Sequence, residues 1–244
     1  VAERAKIIIL EINEKLPVAV GGKEHCIHIS DVDYIVESDN PDLTVTTSTK
    51  VTEADKKIAQ FIVGQIENGS TIQLGIGALP NAVGAMIAQS DLKELGVHTE
   101  MLVDAYLSLF KAGKITNKFK NMDKGKSVWS LCVGSQELYD WVDGNTEMAS
   151  YPIDYTNDPH TMALNDKLIT INNCMEVDIL GQVSSETSGS RQISGTGGQL
   201  DFLTGGYMSN GGKSFICFTS TFMDKKTGEI KSRVAVNLPT SSVV

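Results

Sequence analysis

Thr71-Ile72-Gln73-Leu74-Gly75-Ile76-Gly77-Ala78-Leu79-Pro80-Asn81-Ala82-Val83 reads as a short β-branched strand, a glycine turn and the start of a helix. Proline fits a first helical turn, whose N–H groups lack intrahelical partners in any case, and glycine lets the backbone approach a ligand closely. Such a turn suits an anion. The next run, Gly96-Val97-His98-Thr99-Glu100-Met101-Leu102-Val103-Asp104, reads as a strand that exposes Glu100 near the same strand ends. Ligands of α/β sheets collect there. The pattern also has an ordinary reading: a lone G-x-G before a helix is most often a tight turn, and a glutamate at a strand end is most often a solvated rim residue.

Working outward, residues 2–16 alternate apolar and charged residues at helical spacing up to Pro17, and residues 27–36 read as one or two strands. A polar segment, 42–51, leads into a helix over 52–67, with Thr52 as N-cap and Asn68-Gly69 as the exit. Residues 106–112 are amphipathic, 128–133 form a buried-strand candidate, and 135–142 are helix-like. After Lys167 the signals change to strands separated by glycine: 168–172, 175–180, 214–220 and 232–238, with Lys225-Lys226-Thr227-Gly228 as a hairpin turn between the last two. The expected fold is α/β, a mixed and largely parallel sheet flanked by helices. Its parallel part lies before about residue 140.

Composition narrows the function classes. The 244 residues are 41% hydrophobic and 21% charged, enough for one large or two small cores, and the net charge of −9 disfavours nucleic-acid and anionic-membrane surfaces. The basic residues between Lys111 and Lys126 read as a solvated helical face. No apolar run reaches the ~20 residues of a membrane span. Cys26, Cys132, Cys174 and Cys217 are widely spaced, mostly in apolar runs, a usage typical of reduced thiols and a cytoplasmic protein. His25, Cys26 and His28 crowd together, but no second ligand pair follows at zinc spacing, so no metal site is expected. The opening at Val1, in a helix-like segment, reads as that of an incomplete piece.

Gly195-x-Gly197-Gly198 presents consecutive backbone N–H groups that suit an oxyanion or an anionic ligand, although glycine-dense loops often only turn the chain. With Gly75-x-Gly77 and Glu100 it makes one nucleophile and two donor loops, the beginnings of an acyl-transfer site.

The strings at 73–83 and 96–101, Glu176-Val177-Asp178-Ile179-Leu180-Gly181-Gln182, and Ser194-Gly195-Thr196-Gly197-Gly198-Gln199-Leu200-Asp201-Phe202 together resemble the acetyl-CoA hydrolase/transferase family. The chain is most similar there to its butyryl-CoA:acetate and 4-hydroxybutyrate CoA-transferases. The likeness extends to residues 28–34 and 148–152. Members of the family are longer. The resemblance therefore implies a fragment of a two-domain protein, with residues 1–45 ending an N-terminal CoA-transferase domain and its linker, and 46–244 forming a truncated C-terminal one.

It further implies that Glu100 is the nucleophile, attacking an acyl-CoA thioester to reach a glutamyl-CoA thioester that a short-chain carboxylate such as acetate discharges. CoA contacts fall by resemblance on Gly75, Ile76, Gly77, Ala78, Leu79, Met175 and Gly198, with Gln73 and Asn157 as supporting groups. Met175 could equally be a core methionine, and Gln73 a plain strand residue. CoA is then a substrate, no cofactor is bound permanently, and the full-length protein is expected to be a homo-oligomer. Acetyl-CoA hydrolysis and a non-catalytic CoA-binding module are the competing readings. His98 and Asp104, which flank Glu100, are expected to act only through it.

Overall fold

Thr71–Leu74 is buried at every position, the signature of a strand covered on both faces. The computed structural model describes residues 2–46, 50–189 and 191–239, and places this strand inside a parallel sheet. The spatial order is Lys213–Cys217, Leu168–Asn173, Thr71–Leu74, Gly96–Val97. Parallel character is thus not confined to the first 140 residues: two of the four strands come from beyond that point. Antiparallel pairing is left to short ladders such as Glu176–Asp178 with Val183–Ser184.

Side-chain alternation along Leu168–Asn173 divides the two faces. Ile169 and Ile171 join Ile72, Leu74, Val83 and Ile87 in the main core, whereas Leu168 joins Met162 and Phe202 in a second cluster. Helices Glu53–Val63, Ala78–Gln89 and Asp104–Lys111 pack in succession against the first core. Gln199–Met208 packs on the sheet and on Pro159–Ala163. The predicted Thr52 cap is a full capping box: its hydroxyl accepts from the Asp55 N–H, and the Asp55 carboxylate accepts from the Thr52 N–H. That helix stops at Val63, short of the expected 67, where Gly64 follows.

The helix Gln199–Met208 overturns the expectation of glycine-separated strands in this region. Each interior glycine costs a helix ~1 kcal/mol relative to alanine. Close approach is the reason they are there: a Cβ at Gly205 would stand 2.3 Å from Met162 Sδ, and one at Gly206 would stand 2.5 Å from Ser214 Oγ.

The N-terminal stretch also departs from its expected helix. Only Ala2–Arg4 forms a 3-10 turn, while Ile9–Ile12 is a strand paired in parallel with Tyr34–Glu37. The β-branched run Ile7-Ile8-Ile9 outweighs the weak helical period. The 225–228 turn joins Thr221–Met223 to Ile230–Ser232, a shorter hairpin than expected. Residues 47–49 of the polar segment 42–51, and Ser190, lie outside the described residues.

No helix covers the basic residues after Lys111, and Lys120 is not solvated. It is 1% exposed, and its ammonium donates to the carbonyls of Val97 (2.9 Å) and Lys126 (2.7 Å). Burial pulls its pKa down to about 7. Among the cysteines, Cys174 and Cys217 are buried, Cys132 is half-buried and Cys26 is exposed, all four with free thiols.

Candidate active site

The strand expected over 96–104 is two strands, and Glu100 lies in the break between them. Gly96–Val97 ends in the main sheet, His98 bridges to Val128, and Met101–Leu102 pairs with Leu131–Cys132. The 128–133 segment divides likewise, since Ser127–Trp129 pairs with Met148–Ser150. At the break the Glu100 carbonyl accepts from both Ser130 N–H (3.0 Å) and Leu131 N–H (2.9 Å). Two residues facing one is the arrangement of a bulge, which re-aims a side chain. Glu100 is half-buried, neither a continuous-strand residue nor the exposed rim acid that the sequence suggested.

Its carboxylate is held from two sides. Oε2 accepts from Asn157 Nδ2 at 3.0 Å and from the Gly198 N–H at 2.9 Å. Gly198 is the N-cap of Gln199–Met208, so the carboxylate lies at the positive end of that helix. Its φ of −78° is open to any residue; contact distance, not backbone conformation, demands glycine. A Cβ there would sit 2.1 Å from Glu100 Oε2 and 2.4 Å from Asn157 Nδ2. Gly195 and Gly197 have no such crowding, and of this glycine run only Gly198 donates to Glu100. Asp201, in the first turn of the same helix, has its pKa raised by burial first, then by the negative charges of Glu100 and Asp158.

Two groups that sequence reasoning missed complete the cluster. Thr156, fully buried, brings its hydroxyl 3.1 Å from Asn157 Oδ1 and 2.7 Å from Ser130 Oγ. No motif marks either residue; Ser130 lies inside the buried-strand candidate 128–133 and Thr156 ends a four-residue helix, Ile153–Thr156.

His98 is fully buried, with Nε2 2.9 Å from the Thr156 carbonyl. A carbonyl only accepts, so Nε2 carries the proton. Burial, and then the nearby Lys120 charge, push the imidazole pKa down to about 4 from 6.5. Between those values the unfolded chain binds the extra proton and the folded one does not, so stability is complete above pH 6.5 and is lost as pH falls toward 4. The expected loss is on the order of 3 kcal/mol. Thermal melts across this window should show it, and His98→Gln, which keeps a donor toward Thr156 without titrating, should flatten the profile. An unchanged slope in that variant would assign the acid sensitivity elsewhere. Asp104, the other flanking group, does not reach Glu100; its carboxylate accepts from the Ser135 N–H (3.1 Å) and Oγ (2.5 Å) at the start of Gln136–Val142.

Residues 75–79 form the turn into Ala78–Gln89, with Gly77 at φ 117° as its N-cap. Asn173, at the carboxyl end of Leu168–Asn173, ties this turn to the Glu100 side of the sheet. Its Nδ2 donates to the Ile76 carbonyl (3.2 Å), and its own carbonyl accepts from Gln199 Nε2 (3.2 Å), next to Gly198. Met175 follows two residues later; its N–H donates to the Ser184 carbonyl (2.9 Å), and its carbonyl accepts from Arg233 Nη1 (3.0 Å). Neither residues 75–79 nor Met175 hydrogen-bonds to Glu100. Gln73 is 4% exposed, and both ends of its amide are taken up by Asn172, at 3.1 Å each, so it serves the sheet. Two surface grooves, one beside Asn68 and Phe119 and the other beside Phe61 and Phe215, include none of these residues. Among the described residues no cluster of three or more His, Cys, Asp or Glu is placed to hold a metal ion.

Known proteins similar to this chain fall in one family. Residues 134–244 match the acetyl-CoA hydrolase/transferase C-terminal domain. The probable butyrate:acetyl-CoA coenzyme A-transferase of Syntrophomonas wolfei is 52% identical over 99% of this chain and 54% of its own length. The 4-hydroxybutyrate coenzyme A transferase of Clostridium kluyveri is 42% identical over 94% of this chain and 52% of its own length. Among solved structures, a 4-hydroxybutyrate CoA-transferase from Porphyromonas gingivalis superposes with a TM-score of 0.80 at 37% identity, over 97% of this chain and 55% of that one. RipA from Yersinia pestis does so at 0.86 and 35%, over 99% and 52%. The chain therefore spans about half the length of the relatives it matches. By these likenesses the chain belongs to the acetyl-CoA hydrolase/transferase family.

Proposed function

We propose that the protein to which this chain belongs is a CoA-transferase, moving CoA between a short-chain acyl-CoA such as butyryl-CoA and acetate, with Glu100 as covalent nucleophile. One observation carries the reading: Oε2 of Glu100 is held by two N–H donors, while Oε1 has no hydrogen-bond partner among the described residues. That leaves one carboxylate oxygen oriented and free to attack.

The carboxylate adds to the thioester carbonyl, the C–S bond breaks, and a mixed anhydride and CoA thiolate result. The thiolate attacks the glutamyl carbonyl of the anhydride, releasing the first carboxylate and leaving a glutamyl-CoA thioester. Acetate then runs these two steps in reverse and restores the glutamate. The exchange conserves thioester energy and needs no oxidant, reductant or ATP. When the glutamyl carbonyl is attacked, charge develops on an oxygen facing the Asn157 and Gly198 N–H donors, where fixed dipoles are worth most.

Residues 75–79, Met175 and Gly198 are the proposed CoA contacts. The Asn173 bridge supports this by linking the glycine turn to the helix that Gly198 caps. The division at residues 1–45 and 46–244 is proposed with it; the separate Ile9–Ile12 ladder supports the former as a distinct unit. A cytoplasmic homo-oligomer with no resident cofactor completes the reading. Incubating the full-length protein with butyryl-CoA and no acceptor should trap CoA on Glu100, located by borohydride reduction and peptide mass mapping. Label on another residue would remove Glu100 from the mechanism.

A further inference from the structure

We infer that Tyr106 is a positioning residue for this reaction: its hydroxyl stands between the chain segments that carry the glycine turn and Glu100, and so sets the distance from a CoA held at the turn to the nucleophile. The inference rests on the proposed roles of Glu100 and residues 75–79. The strands Thr71–Leu74 and Gly96–Val97 pair only at Thr71 with Gly96 and Ile72 with Val97, and then part. The last bond between these segments runs from the His98 N–H to the Ile72 carbonyl (3.3 Å). Alternate residues of a parallel strand face the same neighbour, so the next amide on this edge is that of Leu74. It donates instead to Tyr106 Oη, at 2.7 Å. A buried N–H without an acceptor is costly, and the strands can part here because the phenol replaces the lost carbonyl.

The same phenol oxygen lies against the Thr99 hydroxyl, one residue before Glu100. Leu74 gives its N–H to the phenol oxygen, and the Thr99 hydroxyl gives its proton to the Met101 carbonyl (3.1 Å), which leaves the phenol proton for Thr99 Oγ1. Burial holds the phenol pKa far above its ordinary value, so the hydroxyl keeps that proton. Tyr106 and Thr99 are both fully buried, and water does not stand in for either hydroxyl. The ring belongs to Asp104–Lys111, which follows Met101–Leu102, and this helix packs on Ala78–Gln89, which follows the glycine turn. Their contact is close: a Cβ on Gly84 would stand 2.8 Å from Ala105 Cβ. The two halves of the site thus meet at one oxygen, since Leu74 precedes Gly75 and Thr99 precedes Glu100. Tyr106 makes no hydrogen bond to the Glu100 carboxylate, so it acts through spacing alone.

The test uses the full-length enzyme and two acyl donors: butyryl-CoA, and butyryl-N-acetylcysteamine, a thioester with the reacting carbonyl but without the nucleotide and most of the CoA arm. Tyr106→Phe keeps the ring and removes the oxygen. It should lower kcat for butyryl-CoA by roughly 10- to 100-fold, the range expected when reacting groups are misplaced by up to about an ångström. The kcat/KM for butyryl-N-acetylcysteamine, whose reaction does not depend on an anchor at the turn, should stay near the parent's. An equal loss on both donors marks damage to Glu100 or to the fold at large and overturns the inference, as does parent-like kcat on butyryl-CoA. If Tyr106→Phe does not fold, Thr99→Val removes the other partner of the phenol and supplies the same comparison, with Thr99→Ser expected to restore the parent's behaviour; a loss that serine does not restore overturns the inference. Glu100→Gln, assayed in parallel on butyryl-CoA, separates the two layers. If it transfers CoA normally, the nucleophile assignment falls and this inference with it, whereas an inactive Glu100→Gln beside a parent-like Tyr106→Phe removes the inference alone.

Discussion

Glu100→Ala in the full-length enzyme is expected to abolish CoA transfer while leaving CoA affinity within a few fold of the parent. The expected loss is on the order of the 10⁶ seen when a covalent nucleophile is removed. Affinity should persist because the proposed CoA contacts at residues 75–79 and Met175 share no hydrogen bond with the carboxylate. Glu100→Gln sharpens the experiment. Its amide oxygen can still accept from Asn157 and Gly198, so the site keeps its shape and loses only the nucleophile. Isothermal titration with CoA and a steady-state transfer assay on both variants give the answer. If CoA binding falls as far as activity, Glu100 is a structural or ligand-binding residue.

Gly198→Val is expected to slow the chemical step by roughly 10²–10³, the cost of losing one preorganised N–H donor. At φ −78° a valine meets no backbone penalty of the left-handed kind, so the damage is local. The Cβ would overlap Glu100 Oε2 at 2.1 Å and Asn157 Nδ2 at 2.4 Å, and both groups must move off the N–H to admit it. Single-turnover rates and thermal melts on the same preparation distinguish the two possible effects. A large fall in melting temperature with normal turnover in the surviving folded fraction would make Gly198 a packing residue only.

Some of this structure was legible in local sequence because the deciding forces are local. The strand Thr71–Leu74, the Thr52 cap and the glycine-turn entry to Ala78–Gln89 each depend on neighbours within a few residues. Where the deciding partner is distant, the local signal pointed the wrong way. Gly205 and Gly206 argue against a helix until Met162 and Ser214 are seen to need their missing side chains. Lys120 reads as a solvated charge until two backbone carbonyls, those of Val97 and Lys126, close around it.

The candidate site divides along the same line. By its residue strings the sequence determined the family and the α/β class and put forward Glu100 and Gly198 as candidates, for these are matters of which residue stands in which string. Only the tertiary structure decided that residues 57 and 98 positions away from Glu100 donate to the same carboxylate oxygen. It alone brought the Ser130 N–H to the Glu100 carbonyl and paired the Gln73 amide with Asn172. A hydrogen bond acts over about 3 Å and has no memory of separation along the chain. The partners of a long-range bond are therefore chosen by the fold, through a parallel sheet whose strands are paired across long crossovers, and a one-dimensional pattern does not contain that choice.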